Sequence, residues 1–268
     1  MIKAIVAGAA GRMGARIMQA VMNSPELELS GAFERPDHPA LGQDAGMAAA
    51  IGNVGVSLSN SLAEAAANGG EVVIDFTQPA ASMANMEIAA QKGLAMVVGT
   101  TGLTPEQIDR AREFSRNVRM VLAPNMSVGV NLLFKIVGDV ARILGPGYDL
   151  EIIEAHHRLK KDAPSGTAVR LAQVLAEAMG RDISKVGVYG REGIVGERTP
   201  DEIGVLAVRA GDIVGEHTVL YGGIGERIEI THRAHSRDTF VQGAVRAAAW
   251  VVKQSAGLYD MQDVLGLK

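Results

Sequence analysis

The chain contains no cysteine in its 268 residues. That absence removes both a disulfide framework and a thiolate nucleophile, and it accords with a reducing compartment, so the cytoplasm is the expected location. Aromatic residues make up 4% of the chain, with a single Trp, which leaves few platforms for stacking bases. Positive charge is not in excess either: a formal net charge of -4 gives no field for a phosphate backbone. Nucleic acid is therefore not an expected partner. No apolar run approaches the roughly 20 residues that span a bilayer. The segment Ile2-Lys-Ala-Ile-Val-Ala7 opens directly as a strand pattern, without the basic flank and apolar helix of a secretory leader. The expectation is a soluble protein with no membrane partner.

What the chain does have is 47% apolar residues and 32 glycines, enough for one large domain or two ordinary ones. The strand from Ile2 to Ala7 runs into Gly8-Ala9-Ala10-Gly11-Arg12-Met13-Gly14, after which Met13, Ile17 and Val21 recur at helical spacing. A strand, a glycine loop and a helix in this order suit a pyrophosphate: glycines permit a tight turn and close backbone approach, and the helix N-terminus faces the negative charge. The spacing is Gly-x-x-Gly-x-x-Gly rather than the commoner Gly-x-Gly-x-x-Gly, and taken alone it is weak evidence. A second strand, Leu27 to Phe33, ends in Glu34-Arg35, where a reader of the adenosine ribose belongs. A carboxylate there accepts from the ribose hydroxyls of NAD, whereas an arginine pairs with the 2′-phosphate of NADP. The pair together points to use of either NADH or NADPH, and the alternative is a solvated charge pair after a strand.

The segment Pro36 to Asn60 shows little periodicity and reads as a loop. Strand patterns follow at Glu71 to Thr77, at Leu94 to Val98 and at Met120 to Ala123. They lead into Phe76-Thr77, Gly99-Thr100-Thr101 and Pro124-Asn125-Met126. Ligands of open α/β sheets sit outside the carboxyl ends of the strands, so these turns are expected to line the cofactor crevice, with Ala123, Pro124, Asn125 and Met126 toward the nicotinamide. Thr104-Pro-Glu-Gln107 is a capping box. Strand and helix alternate to this point, which predicts a parallel sheet of about five strands. Beyond the long helical stretch Val130 to Leu144 the pattern changes. Ile203 to Arg209, His217 to Tyr221 and Glu226 to Ala234 are strands without intervening helices, which predicts a mixed or antiparallel sheet in a second domain. The fold class is therefore α/β, a parallel-sheet N-terminal domain plus an α+β C-terminal one.

The densest chemistry lies from Asp149 to Ala168. A strand, Leu150 to Ala155, gives way to His156-His157-Arg158-Leu-Lys160, and Ser165-Gly166-Thr167 then opens a helix. A helix start has unpaired N–H groups and a positive dipole end, so with Lys160 and the hydroxyls of Ser165 and Thr167 it suits a carboxylate or phosphate. Histidine supplies a proton near neutral pH. Adjacent histidines on a strand point to opposite faces, so His156 and His157 cannot both reach one site without a bend. An ordinary polar loop and a metal site are the competing readings; no Cys or well-spaced carboxylate supports the latter, and no metal is expected.

These elements in order resemble the 4-hydroxy-tetrahydrodipicolinate (dihydrodipicolinate) reductase family from end to end. The stretch Glu151-Ile-Ile-Glu154-Ala-His156-His157-Arg-Leu-Lys160-Lys-Asp162-Ala-Pro164-Ser165-Gly166-Thr167-Ala168 is its most specific part. Gly11-Arg12-Met13-Gly14, Asp75-Phe76-Thr77, Gly99-Thr100-Thr101-Gly102 and Arg209 to His217 support it. The resemblance implies a Rossmann domain over residues 1–126 to which 238–268 return, and a substrate-binding and oligomerisation domain over 127–237. It implies a homotetramer and a small dicarboxylate substrate. It further implies that Gly8, Ala9, Ala10, Gly11, Arg12 and Met13 hold the pyrophosphate and Glu34 and Arg35 the ribose. Gly99, Thr100 and Thr101 with Ala123 to Met126 would hold the nicotinamide half. By the same resemblance His156 is the general acid, Lys160 its cationic partner, and His157, Gly166 and Thr167 bind substrate, alongside the Ser165 of the helix start. Ala10, where many relatives have glycine, and Pro124 and Met126 depart from the family pattern without removing a chemical group. The implied reaction is NAD(P)H-dependent reduction in the diaminopimelate route to lysine. Competing readings are another dehydrogenase, such as an aspartate-semialdehyde enzyme that would need a cysteine nucleophile, and a dinucleotide-sensing module that would need a basic reading element.

Overall fold

A computed structural model describes every residue from Met1 to Lys268. The chain divides into two compact units, one of Met1–Val128 with Asp238–Lys268 and one of Gly129–Arg237. In chain order the strands are β1 (Ile2–Ala7), β2 (Leu27–Phe33), β3 (Leu58–Ser59), β4 (Val72–Asp75), β5 (Ala95–Val98) and β6 (Arg119–Leu122). They continue with β7 (Asp149–His156), β8 (Gly187–Val188), β9 (Ile203–Arg209), β10 (Gly215–Gly222), β11 (Arg227–Ala234) and β12 (Gly257–Tyr259).

In the first unit seven strands form one parallel sheet in the order β12-β6-β5-β4-β1-β2-β3. β4 and β5 are buried at every position, because helices cover both faces and each side chain must be apolar whichever way it points. One face packs against the helices Arg12–Met22 and Asp238–Val251. Ile17, Met18 and Val21 of the first meet a core that also contains Val241, Ala244 and Ala248 of the second. The other face meets Met86 and Ala89 of the Pro79–Lys92 helix and Ala111 of the Pro105–Phe114 helix. The expected capping box is formed: the Thr104 hydroxyl accepts from Gln107 N, and Gln107 Oε1 accepts from Thr104 N. The Pro79–Lys92 helix stops at Gly93, whose φ of 70° supplies the left-handed turn of its end.

Chain order runs from β1 outward to β2 and β3, then resumes at β4 on the other side of β1 and proceeds outward again. The carboxyl ends of β1 and β4 therefore flank the switch point, where a crevice opens in sheets of this kind. Two strands exceed the expected five. β3 and β12 have two and three residues, too short to show any period. β3 lies inside the segment Pro36 to Asn60 that reads as a loop. That segment also holds a short helix, Ala45–Ala48, and is organised by one carboxylate: Asp44 accepts from the backbone N–H groups of Gly46, Met47, Val54 and Gly55.

The second unit has a five-stranded sheet in the order β11-β10-β7-β9-β8, with β7, β9 and β8 parallel and β10 and β11 antiparallel. The fold class expected from the sequence, a parallel sheet followed by a mixed one, is the fold observed. Strand period two turns Leu150 and Ile152 of β7 toward Leu133, Val137, Leu171 and Leu175, which lie on the helices Val128–Leu144 and Gly166–Ala178. Tyr221 of β10 is fully buried in this core and its hydroxyl donates to the Val137 carbonyl. On the opposite face Ile153 and Val208 are exposed. No helix is long and apolar enough to cross a membrane.

Candidate active site

At the switch point of the first unit a cleft of about 860 Å³ is lined by Gly8, Gly11, Arg12, Met13, Glu34, Arg35, Phe76 and Thr77, with residues of the Pro79–Lys92 helix along one wall. The glycines are required by the geometry. Gly8 has φ of 62°, and a Cβ on Gly14 would lie 2.1 Å from the Gly8 carbonyl oxygen and 2.6 Å from Ala9 Cα. The Arg12–Met22 helix begins at Gly11 with no side-chain cap, so no side-chain oxygen occupies its N–H end. Ala9 is buried beneath the loop and its N–H donates to the Phe33 carbonyl, while Ala10 N–H donates to Glu34 Oε1 at 3.2 Å. Arg35 is exposed and paired with Asp37 at 3.3 Å. A backbone cradle, a helix start and a carboxylate at the end of β2 fit a dinucleotide.

The other expected cofactor residues occupy the carboxyl ends of β5 and β6, outside this cleft. A Cβ on Gly99 would lie 2.3 Å from the Phe76 ring, so the glycine is there to admit the ring. Thr100 is buried and turned to a polar cluster around Asp75, and Thr101 is exposed. Ala123 and Met126 are buried, Pro124 is exposed, and Asn125 Oδ1 accepts from Ser127 N at 2.9 Å.

Asp75 itself lies fully buried at the end of β4, with no cation beside it. Its Oδ1 accepts from Thr77 N at 2.9 Å, from the Thr77 hydroxyl at 2.6 Å and from the Ser82 hydroxyl at 3.0 Å. Its Oδ2 accepts from Asn85 Nδ2 at 2.8 Å. Backbone, hydroxyl and amide donors hold this carboxyl.

In the second unit the expected proton donor lies at the end of β7. Period two puts Glu154 and His156 on the same inward face as Leu150 and Ile152, and pairing brings His217 of β10 beside Glu154 and Arg209 of β9 beside His156. His156 Nδ1 is 2.6 Å from Glu154 Oε2. The carboxylate is fully buried and also takes a fork of two bonds from Arg209, at 2.8 Å to each oxygen. Ser165 N donates to its Oε1 at 3.0 Å. The Ser165 hydroxyl accepts from Ala168 N as the cap of the Gly166–Ala178 helix and is bonded to His217 Nε2 at 3.0 Å. Lys160 Nζ lies 2.9 Å from both oxygens of Asp162. The loop bearing these groups is tied to the β9–β10 turn, since Ala210 N donates to the His156 carbonyl and Arg158 N to the Gly211 carbonyl.

Protonation follows from these contacts. Burial opposes ionisation of Glu154, but Arg209, His156 and the Ser165 N–H outweigh it and hold the carboxyl below its usual range. A carboxylate can only accept, so His156 donates through Nδ1 and presents Nε2 for proton exchange. Burial pushes the imidazole below its ordinary value, with Lys160 and Arg209 adding to the effect against the opposing pull of Glu154. Burial, with His156 next in weight, takes His217 down to about 3. His157 lies just beyond the end of β7, half-buried, with no partner for its Nδ1. The strand ends between the two histidines, so their opposed orientation is not imposed by pleating. Gly166 is exposed and the space beside its Cα is open. No group of three or more His, Asp or Glu side chains is placed to hold a metal ion.

Residues 2–126 match the family model described as Dihydrodipicolinate reductase, N-terminus, and residues 129–265 match its counterpart, Dihydrodipicolinate reductase, C-terminus. The chain belongs to the dihydrodipicolinate reductase family. The 4-hydroxy-tetrahydrodipicolinate reductase of Citrifermentans bemidjiense is 58% identical over 268 residues, covering 100% of both chains, and that of Syntrophus aciditrophicus is 55% identical over the same span. Among solved structures, the dipicolinate-bound dihydrodipicolinate reductase of Paenisporosarcina sp. TG-14 superposes with a TM-score of 0.78 at 26% identity, over 98% of each chain.

Within this dihydrodipicolinate reductase framework, three residues that enter the sequence match without an assigned role hold the stretch from His156 to Ser165 together: Glu154, Arg209 and His217. Glu154 has a local signal, since it stands two residues before His156 on a strand. Arg209 and His217 arrive through strand pairing that no local pattern specifies.

Proposed function

We infer that this chain is an NAD(P)H-dependent oxidoreductase that reduces 4-hydroxy-tetrahydrodipicolinate to tetrahydrodipicolinate with loss of water, in the diaminopimelate route to lysine. The observation that carries the reading is the buried Glu154–His156 pair beside Lys160 and the Ser165-capped helix start, in a chain that matches both reductase family models.

Gly8 to Met13, with Glu34 and Arg35, would hold the dinucleotide, and Gly99 to Thr101 with Ala123 to Met126 its nicotinamide half. The reduced nicotinamide supplies a hydride when bound. The chain's own groups meet the remaining demands. As the conjugated imine is reduced, electron density builds toward the ring nitrogen, and the Lys160 ammonium stabilises that charge more in the transition state than before it. His156 Nε2 then delivers a proton to the adjacent carbon, leaving a neutral ring still bonded through Nδ1 to Glu154. In the free protein His156 sits below its ordinary pKa, and a dianionic dicarboxylate arriving beside it draws the proton onto Nε2. The N–H groups of Gly166 and Thr167, with the Ser165 and Thr167 hydroxyls and His157, would bind one carboxylate.

The reading extends to a homotetramer in the cytoplasm. The exposed Ile153 and Val208 on the open face of the second sheet support association there. The deciding assay is NADH or NADPH oxidation with substrate freshly made by the synthase from pyruvate and aspartate semialdehyde. Absence of oxidation with both cofactors rejects the function.

A further inference from the structure

Glu154 hydrogen-bonds to both chemical elements of the second-unit site. Its Oε2 meets His156 Nδ1 at 2.6 Å and its Oε1 takes the Ser165 N–H at 3.0 Å, at the cap of the Gly166–Ala178 helix. Arg209 bonds each oxygen at 2.8 Å, so the carboxylate cannot rotate without breaking a fork, and Arg209 also donates to the Asp162 carbonyl at 2.7 Å. We propose that Glu154 is the positioning residue of this site, fixing the proton-donating imidazole and the carboxylate-binding helix start in one register.

The proposal rests on the function inferred above and assigns Glu154 a task within it. Two independent elements, a strand end and a helix start, must present Nε2 and a set of N–H groups to one small dicarboxylate. A misplacement of about 1 Å in such a pair costs about 10²-fold in rate, so a rigid link between them acts on turnover as well as on stability. The link also selects the tautomer. With Nδ1–H committed to a carboxylate, Nε2 is the nitrogen that gains and loses the proton, and the carboxylate stabilises the imidazolium formed before transfer. The charged and titratable groups facing His156 are Glu154 from β7, Arg209 from β9, His217 from β10, and Lys160 and Asp162 from the loop. Among these Glu154 is the anion in direct contact, and Arg209 is the cation that shares it.

Two substitutions therefore act on His156 with opposite sign. Glu154→Gln keeps the shape but removes the charge that favours the imidazolium, so the His156 midpoint should move down. Arg209→Gln leaves the carboxylate to His156 and the Ser165 N–H and removes a nearby cation, so the midpoint should move up. Both midpoints can be read by NMR titration of the His156 ring in the folded protein without substrate. In turnover, Glu154→Gln should lower kcat at least about tenfold and raise the Michaelis constant for the dicarboxylate, because the single amide oxygen cannot accept from both His156 Nδ1–H and the Ser165 N–H.

A merely structural role would lower the thermal midpoint of both variants and leave kcat and the Michaelis constant of the folded protein at the parent values. An unchanged His156 midpoint, or shifts of the same sign in the two variants, overturns the proposal. If Glu154→Gln does not fold, the direction of the Arg209→Gln shift decides alone. Parent enzyme that fails to oxidise either cofactor would reject the inferred function instead, and the NMR midpoints would still report on the Glu154 link.

Discussion

Removing the Asp75 carboxyl group tests whether the end of β4 is held by the hydrogen bonds of one buried side chain. In Asp75→Ala the hydroxyls of Thr77, Ser82 and Thr100 retain one another, at 3.2 Å and 2.7 Å along the chain of three. Two donors have no such recourse: Thr77 N–H and Asn85 Nδ2, now 2.9 Å and 2.8 Å from Asp75. An orphaned buried donor costs about 1–3 kcal/mol, so the pair and the small void left behind should cost roughly 3–4 kcal/mol. For a domain of this size that is a fall in thermal midpoint of about 6–15 °C. Thr77 and Asn85 also line the cleft, so the Michaelis constant for NADH should rise in the same variant. Asp75→Asn retains an acceptor at Oδ1, and the Asn85 amide can turn its oxygen to the new NH₂, so this variant should fall between parent and alanine. Circular dichroism melts and NADH titration of the three proteins check the order. An alanine variant within about 2 °C of the parent, with unchanged NADH affinity, would refute the account.

Three further outcomes follow from the geometry. His156→Gln and Lys160→Ala should each slow turnover by about 10²–10⁴ if they act as acid and cation, and a His156→Gln enzyme within a fewfold of the parent would sink that assignment. Arg35→Ala should raise the Michaelis constant for NADPH about tenfold or more and that for NADH little, because only the 2′-phosphate replaces Asp37 as its partner; equal effects would mean Arg35 does not read the phosphate. His217 is 3% exposed and is pushed down to about 3, whereas in the unfolded chain it takes up a proton near 6.5. The unfolded state therefore binds more protons across that window, so stability is full above pH 6.5 and is lost as pH falls toward 3. At pH 4.5 the loss is about 2–3 kcal/mol. The drop in melting temperature between pH 7 and 4.5 should be smaller in His217→Gln than in the parent, and equal drops would remove His217 as its source.

What could be read from the chain divides along the range of the interactions that carry it. The strand, glycine loop and helix at Gly8 to Gly14 was legible because steric demand there is local: a Cβ at Gly14 collides with the Gly8 carbonyl six residues away. The alternation of strands and helices up to Leu122, and its replacement by helix-free strands after Ile203, gave the two kinds of sheet for the same reason, since period and burial are set within each element. β3 has no local signal because two residues have no period, and because the order around it comes from Asp44 capturing four backbone N–H groups rather than from an apolar face.

The candidate site shows the same division more sharply. His156, Lys160 and Ser165 stand out by residue type within ten positions. Their placement, however, depends on Glu154, whose full burial would be prohibitive for a carboxylate without the Arg209 fork, and Arg209 is 55 residues away in the chain. It reaches Glu154 because β7 and β9 run parallel with His156 opposite Arg209, while the antiparallel pairing with β10 sets His217 opposite Glu154. A one-residue slip in either register would turn the partner side chain to the exposed face beside Ile153 and leave the carboxylate buried and unpaired. The apolar alternation of Leu150 and Ile152 against Ile203, Val205, Val219 and Tyr221 excludes that slip, so core packing in the second unit sets the geometry of the polar cluster at its end.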